Sequence, residues 1–183
     1  GDVLQPLQEN AAKVYAVEVI PHINDMLYDG ILTEFTGRIY RDARVQVVTE
    51  DGRAFVRRYE NEFDIIYSSS SNTFAALASG AFALAENYLF TTEAFCDYWT
   101  ALSDSGYLVM EHQVYIPRVV SEVLDCLDRQ GVKDPSSHFA VYDWPSARRN
   151  ILLLSKQPLT GKCLDQAIAG HTGLQESPFQ LLH

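Results

Sequence analysis

The residues best placed to do chemistry are small and polar: Ser68-Ser69-Ser70-Ser71-Asn72, which follow the apolar run Phe63-Asp64-Ile65-Ile66-Tyr67 and lead on to Glu86-Asn87-Tyr88-Leu89-Phe90-Thr91-Thr92-Glu93. A short apolar run bounded by turn-formers predicts a buried strand, and open α/β sheets bind ligands beyond the carboxyl ends of their strands. A site is expected to open at Ser68. The loop holds hydroxyls and an amide but no carboxylate, so it has no ready base for an amine nucleophile. Two acids occupy comparable places upstream. Glu18 lies near the end of the run Lys13-Val14-Tyr15-Ala16-Val17-Glu18-Val19, and Asp51 precedes Gly52 just after Val45-Gln46-Val47-Val48-Thr49. An acid closing an apolar strand needs partners, although a solvated turn acid at 18 and an ordinary Asp-Gly turn at 51 are the plain alternatives. Glu86, Tyr88, Glu111 and His112 fall on the same expected rim. Their plain alternatives are a capping acid, a core-edge tyrosine and a surface histidine.

These side chains need a scaffold, and the chain supplies strands and helices by turns. A short helix is expected over Val3 to Ala12, then the Lys13 strand. Pro21 starts a helix through about Glu34, with Ile23, Met26, Leu27 and Ile31 on one face. The Val45 strand turns through Asp51-Gly52-Arg53 into a short helix bearing Phe55 and Val56, and the Phe63 strand follows. Thr73 to Ala85 reads as helix or close-packed loop. Thr91 or Thr92 caps a helix to about Ser103, with Phe95, Tyr98, Trp99 and Leu102 on one face. Tyr107 to His112 is a strand, Pro117 to Gln130 an amphipathic helix closed by Gly131, and Phe139 to Trp144 with Ile151 to Ser155 an antiparallel hairpin at one edge. From Pro158 strand character is lost, and one short helix is expected near Leu164 to Ala169. Alternation of this kind implies an α/β fold with a mainly parallel sheet. If the Lys13 strand is second in such a sheet, the first strand and its glycine-rich turn are expected before Gly1.

Composition narrows the function classes. The chain has 183 residues, 47% of them hydrophobic, enough for one domain with a proper core. Its formal net charge of −10 argues against a nucleic-acid partner, since phosphate backbones call for clustered Lys and Arg. Cys96, Cys126 and Cys163 are widely spaced, which suits reduced thiols in a cytoplasmic setting. The histidines show no metal-ligand spacing, so no metal is expected. No apolar run approaches the roughly 20 residues that span a bilayer.

Several segments together resemble a known family. Gly1-Asp2-Val3-Leu4 looks like the tail of a glycine-rich turn, and Val14 to Pro21 resembles a V-x-x-V-E-I-x-P strand end. Asp51-Gly52-Arg53-Ala54-Phe55 resembles a D-G-R-x-F motif, and Phe63-Asp64-Ile65-Ile66 and Leu89-Phe90-Thr91-Thr92-Glu93-Ala94-Phe95 follow in order. The set resembles spermidine synthase and its bacterial spermidine-synthase-like relatives, within the S-adenosylmethionine methyltransferase fold. Ser79 to Leu89 is closest to the subgroup often fused to membrane-spanning regions, although this segment itself is not expected to insert. The resemblance covers roughly 1–158, taken as one Rossmann-like domain with 159–183 as a tail.

The resemblance implies a small-molecule substrate and a cofactor, S-adenosylmethionine or its decarboxylated form. Glu18 would hold the ribose hydroxyls, Asp51 the adenine amino group, with Gly52 giving the ring room. Gly1 and Asp2 would lie beside the amino-acid portion and Ser68 on the cofactor rim. The family's diamine-recognising acids fall at Ser69 and Asn72 here, so Ser69, Asn72 and Glu86 are the catalytic candidates and the usual spermidine chemistry is put in doubt. Asp64 is expected to be structural. Two functions remain open: a transferase moving a methyl or aminopropyl group to an unknown acceptor, or a non-catalytic module, nucleotide-binding or structural, of a larger protein that is membrane-attached or not. Assembly into a homo-oligomer is compatible with either.

Overall fold

The protein is described from a computed structural model over residues 2–69, 87–112, 116–145, 149–162, 164 and 180–183. It forms two compact units, residues 1–58 and residues 59–183.

The first unit is built on a parallel pair. The strands β1 (Val14–Glu18) and β2 (Val45–Thr49) run side by side with Val14 opposite Val45 and Glu18 opposite Thr49. β-Branched residues make up most of β2 and, with Tyr15, most of β1, as a half-buried pleated surface favours. The helix α1 (Leu4–Gln8) precedes them, α2 (Pro21–Tyr28) joins them, and α3 (Gly52–Val56) follows. Pro21 stands in the first turn of α2, where a missing N–H costs nothing. That helix stops at Tyr28 rather than near Glu34. Asp29-Gly30 ends it, and a Cβ on Gly30 would sit 2.7 Å from Met26 Cα, so the chain turns sharply back there. Phe55 and Val56 are buried, and the Phe55 ring packs 5.2 Å from that of Tyr15, which fastens α3 to β1.

The second unit is a mixed sheet with strand order β3-β4-β6-β5-β7, formed by β3 (Phe63–Ser68), β4 (Leu102–His112), β5 (Phe139–Trp144), β6 (Arg149–Ser155) and the two-residue β7 (Gln180–Leu181). β3 and β4 are parallel, and the remaining pairs are antiparallel. The expected hairpin exists, but its second strand inserts between β4 and β5 rather than simply extending the edge. Among the described residues this unit has two α-helices, α4 (Thr92–Ala101) and α5 (Ile116–Arg129). Leu108 and Met110 on β4 pair with Leu154 and Leu152 on β6, and all four are fully buried. The residues between them are half-buried, so the sheet has one dry face and one wetter one. Phe95 on α4, with Val123 and Leu127 on α5, is also fully buried. Each such side chain contributes about 1.5–3 kcal/mol by leaving water.

The strand β4 begins at Leu102, five residues before its expected start, because Leu102 pairs with Phe63 ahead of an irregularity that puts Ile65 opposite Tyr107. The same pairing shortens α4. Among the expected elements, the helix or loop over 73–85 lies outside the described residues, as does the short helix at 164–169 but for Leu164. Cys96 and Cys126 are free thiols, and burial followed by the neighbouring Cys96 pushes the Cys126 thiol up; Cys163 lies outside the described residues. No described helix is long and apolar enough to cross a membrane.

Candidate functional site

In the first unit the two candidate acids stand past the ends of paired strands. Glu18 is the last residue of β1, opposite Thr49, and Asp51 comes two residues after Thr49. The pairing continues one step further, since the Glu50 N–H donates to the Glu18 carbonyl at 3.2 Å. Both carboxylates are anchored locally. Glu18 Oε1 accepts the Ile20 N–H at 2.8 Å just before α2 begins, and Asp51 Oδ1 accepts the Ala54 N–H at 2.8 Å as the N-cap of α3. One oxygen of each carboxylate is thus tied to backbone.

Asn24, on the first turns of α2, supplies a device that sequence reasoning missed. Its side-chain amide donates to Thr49 Oγ1 at 2.9 Å and reaches the Glu18 and Val48 carbonyls at 3.3 and 3.4 Å. One buried side chain therefore clips the ends of both strands. Nothing local marks it, since it stands beside Asp25 and near His22 and asparagine is usually exposed. Beyond the acids, Gly52 faces open space, since an added Cβ would meet nothing within 4 Å. Glu50 pairs with Arg58, Oε2 accepting from Nη2 at 2.7 Å, and that hydrogen bond holds its carboxyl below the usual range. Asp2 is exposed and, after burial, is the second influence raising the Tyr40 hydroxyl. Gly1 lies outside the described residues.

In the second unit, β3 ends at Ser68, which is half-buried and opposite Met110 on β4. Ser69 follows and is exposed. Asn72 and Glu86 lie outside the described residues. Asp64 is at the other end of the strand, where its carboxylate accepts from Ser103 Oγ at 3.0 Å, a place that suits a structural role. Thr91 caps α4, accepting the Ala94 N–H at 3.2 Å, and Tyr98 Oη donates to the Leu89 carbonyl at 3.2 Å. The Leu89-Phe90-Thr91 stretch is thereby pinned to α4. Glu111, one residue before the end of β4, accepts from Tyr67 Oη and from Arg149 Nη1, each at 2.6 Å. The expectation put Glu111 on this rim without partners; Tyr67 and Arg149 were missed because they come from other strands.

A carboxylate oxygen can accept from the hydroxyls of a ribose or the amino group of an adenine, so Glu18 and Asp51 carry the chemistry to hold an adenosine, and an added Cβ at Gly52 would meet nothing within 4 Å.

Comparison with known proteins bears on the family and the fold. The spermine/spermidine synthase domain matches residues 13–124. The polyamine aminopropyltransferases of Clostridium botulinum (strain Eklund 17B / Type B) and Alkaliphilus oremlandii (strain OhILAs) are 39% and 38% identical over 72 residues, which are 39% of this chain and 22% of each relative. A solved spermidine synthase in complex with the transition-state analogue AdoDATO aligns with 96% of this chain and 56% of its own, with TM-score 0.63 and 19% identity. Human methyltransferase-like protein 13 in complex with SAH aligns with 88% of this chain and 72% of its own, with TM-score 0.59 and 15% identity. At these identities the solved structures show a shared Rossmann-like fold. The chain therefore spans only part of the proteins it resembles.

Proposed function

The chain belongs to the spermine/spermidine synthase family, and from that premise we propose that it is a transferase domain that binds S-adenosylmethionine or its decarboxylated form and passes an aminopropyl or methyl group to a small acceptor. The observation that carries this reading is the parallel pairing of β1 with β2, which sets Glu18 and Asp51 at the carboxyl ends of adjacent strands. When bound, the donor's sulfonium supplies the electrophilic carbon, so the protein's contribution is mainly to position the reactants. Glu18 accepts from the ribose hydroxyls through the oxygen not held by Ile20. Asp51 accepts from the adenine amino group, a charge-assisted bond contributing about 1.5–3 kcal/mol. Asp2 borders the amino-acid end of the donor.

Acceptor recognition is assigned to the strand ends of the second unit, where Ser68 and Ser69 follow β3. A serine hydroxyl near its ordinary pKa is no general base, so Ser68 and Ser69 do not take the acceptor's proton, and Glu86, the carboxylate among the catalytic candidates, lies outside the described residues. The lack of a carboxylate between Ser68 and Asn72 favours a second reading, a nucleotide-binding module without turnover.

Isothermal titration calorimetry with 5′-methylthioadenosine tests the first unit. Binding that is abolished by Glu18→Ala is expected; no heat at roughly 5 mM ligand would remove the proposal. Turnover of decarboxylated S-adenosylmethionine with a panel of nucleophiles then separates transferase from module.

A further inference from the structure

Tyr67, Glu111 and Arg149 stand on three neighbouring strands at one end of the second unit's sheet. Tyr67 pairs with Val109 across β3 and β4, and Glu111 pairs with Ile151 across β4 and β6. Side chains alternate between faces, so Tyr67, Glu111 and Arg149 project from the same face as diagonal neighbours. Their contacts follow from that placement. Tyr67 Oη donates to Glu111 Oε1 and Arg149 Nη1 donates to Glu111 Oε2, both at 2.6 Å. The Glu111 side chain is 12% exposed and that of Arg149 34%. Among the described residues the carboxylate is thus bonded through both oxygens, and its charge is matched by one guanidinium.

A diammonium acceptor is held by carboxylates whose charge is uncommitted, because a paired ion attracts a second cation only weakly. Resting on the proposed assignment of acceptor recognition to these strand ends, we infer that Arg149 is a specificity-determining residue. By holding Glu111 it turns this end of the sheet away from polyamines and toward an acceptor without a second ammonium group, either neutral or carboxylate-bearing. Tyr67 supports the arrangement with a hydrogen bond but brings no charge. Without Arg149, a largely buried carboxylate would be left with Tyr67 alone, and an incoming ammonium would be its best available counter-charge.

Titration of the full chain with putrescine, as the diamine probe, tests this. Wild type should show no binding up to roughly 10 mM, whereas Arg149→Met, which keeps an apolar stem and removes the cation, should bind at least about tenfold more tightly. That gain should be lost on adding Glu111→Gln and should weaken at high salt. Arg149→Lys keeps the charge and should gain nothing. Micromolar putrescine affinity in wild type or in Arg149→Lys overturns the inference, and neither protein requires a disruptive change. A gain in Arg149→Met that survives Glu111→Gln overturns it as well. Titrating 5′-methylthioadenosine alongside keeps the two readings apart: loss of nucleoside binding counts against the proposed function, while the diamine series reports on Arg149 alone.

Discussion

Replacing Asn24 tests whether the ends of β1 and β2 are held by a side chain as well as by the strand ladder. Asn24 is 6% exposed, and its amide nitrogen donates to Thr49 Oγ1 at 2.9 Å and to the Glu18 and Val48 carbonyls at 3.3 and 3.4 Å. Two amide protons face three acceptors, so one short bond and one shared longer bond is the count to carry forward. At about 0.5–1.5 kcal/mol net for each, Asn24→Leu should cost about 1–3 kcal/mol. Asn24→Asp has nearly the same shape but turns an acceptor toward two carbonyls, leaving only the Thr49 hydroxyl able to donate to it, and buries a charge, so it should cost about 2–5 kcal/mol at neutral pH. The penalty for Asp should shrink on acidification, since the buried carboxyl's pKa is raised and its protonated form can donate again. Hydrogen exchange at the amides of Val19, Ile20 and Glu50, with urea melts of each variant, reads local opening of this unit apart from the rest of the chain. If Asn24→Asp is no worse than Asn24→Leu at pH 7, the amide is not the donor that holds the strand ends.

Two further outcomes follow from the geometry. An alanine at Gly106 would put its Cβ 2.6 Å from the Phe63 carbonyl and 3.0 Å from the Ser103 nitrogen, both backbone atoms, so Gly106→Ala should destabilise by about 1–3 kcal/mol. An unchanged Tm in thermal melts would show that the β3–β4 irregularity yields freely. Asp42 accepts from the Arg44 side chain and its backbone N–H, which lower its pKa from 3.8 to about 2. A lowered folded-state pKa contributes stability that is present above the unfolded value and lost as pH falls through the folded one. The Tm of wild type should therefore exceed that of Asp42→Asn slightly at about pH 6, and the difference should fade toward about pH 2, small throughout because the pair is exposed. A gap that widens with acid would contradict this.

Elements set by local chemistry were legible in the sequence. Val45 to Thr49 is the expected strand, Asp51 and Thr91 cap the helices they precede, and Gly131, at φ 72°, closes α5 while Val132 donates back to Leu127. Features decided by distant partners were not. Ser103 to Gly106 read as a helix end because nothing local shows that Leu102 will pair with Phe63. The candidate site divides the same way. Glu18 and Asp51 could be singled out because each ends its own apolar run. Asn24, Tyr67 and Arg149 matter through bonds that span 25, 44 and 38 positions, which no short pattern encodes.

This division bears on what kinship can say about chemistry. On the proposed reading, Glu18 and Asp51 are oriented by backbone N–H groups before any ligand arrives, so the nucleoside need not spend binding energy ordering them. That orientation depends on strand pairing and on two helix starts, features any member of the fold must keep in order to fold. Charge at the strand ends of the second unit has no such protection. Ser68 ends β3 and Ser69 follows it, neither an acid, and a single cation at 149 is enough to occupy Glu111. Substitutions there leave the sheet register alone, since the ladder between β4 and β6 is made by backbone groups. On that reading the fold constrains the donor more tightly than the acceptor, and the acceptor should be sought among nucleophiles that need neither a carboxylate base nor a second ammonium anchor.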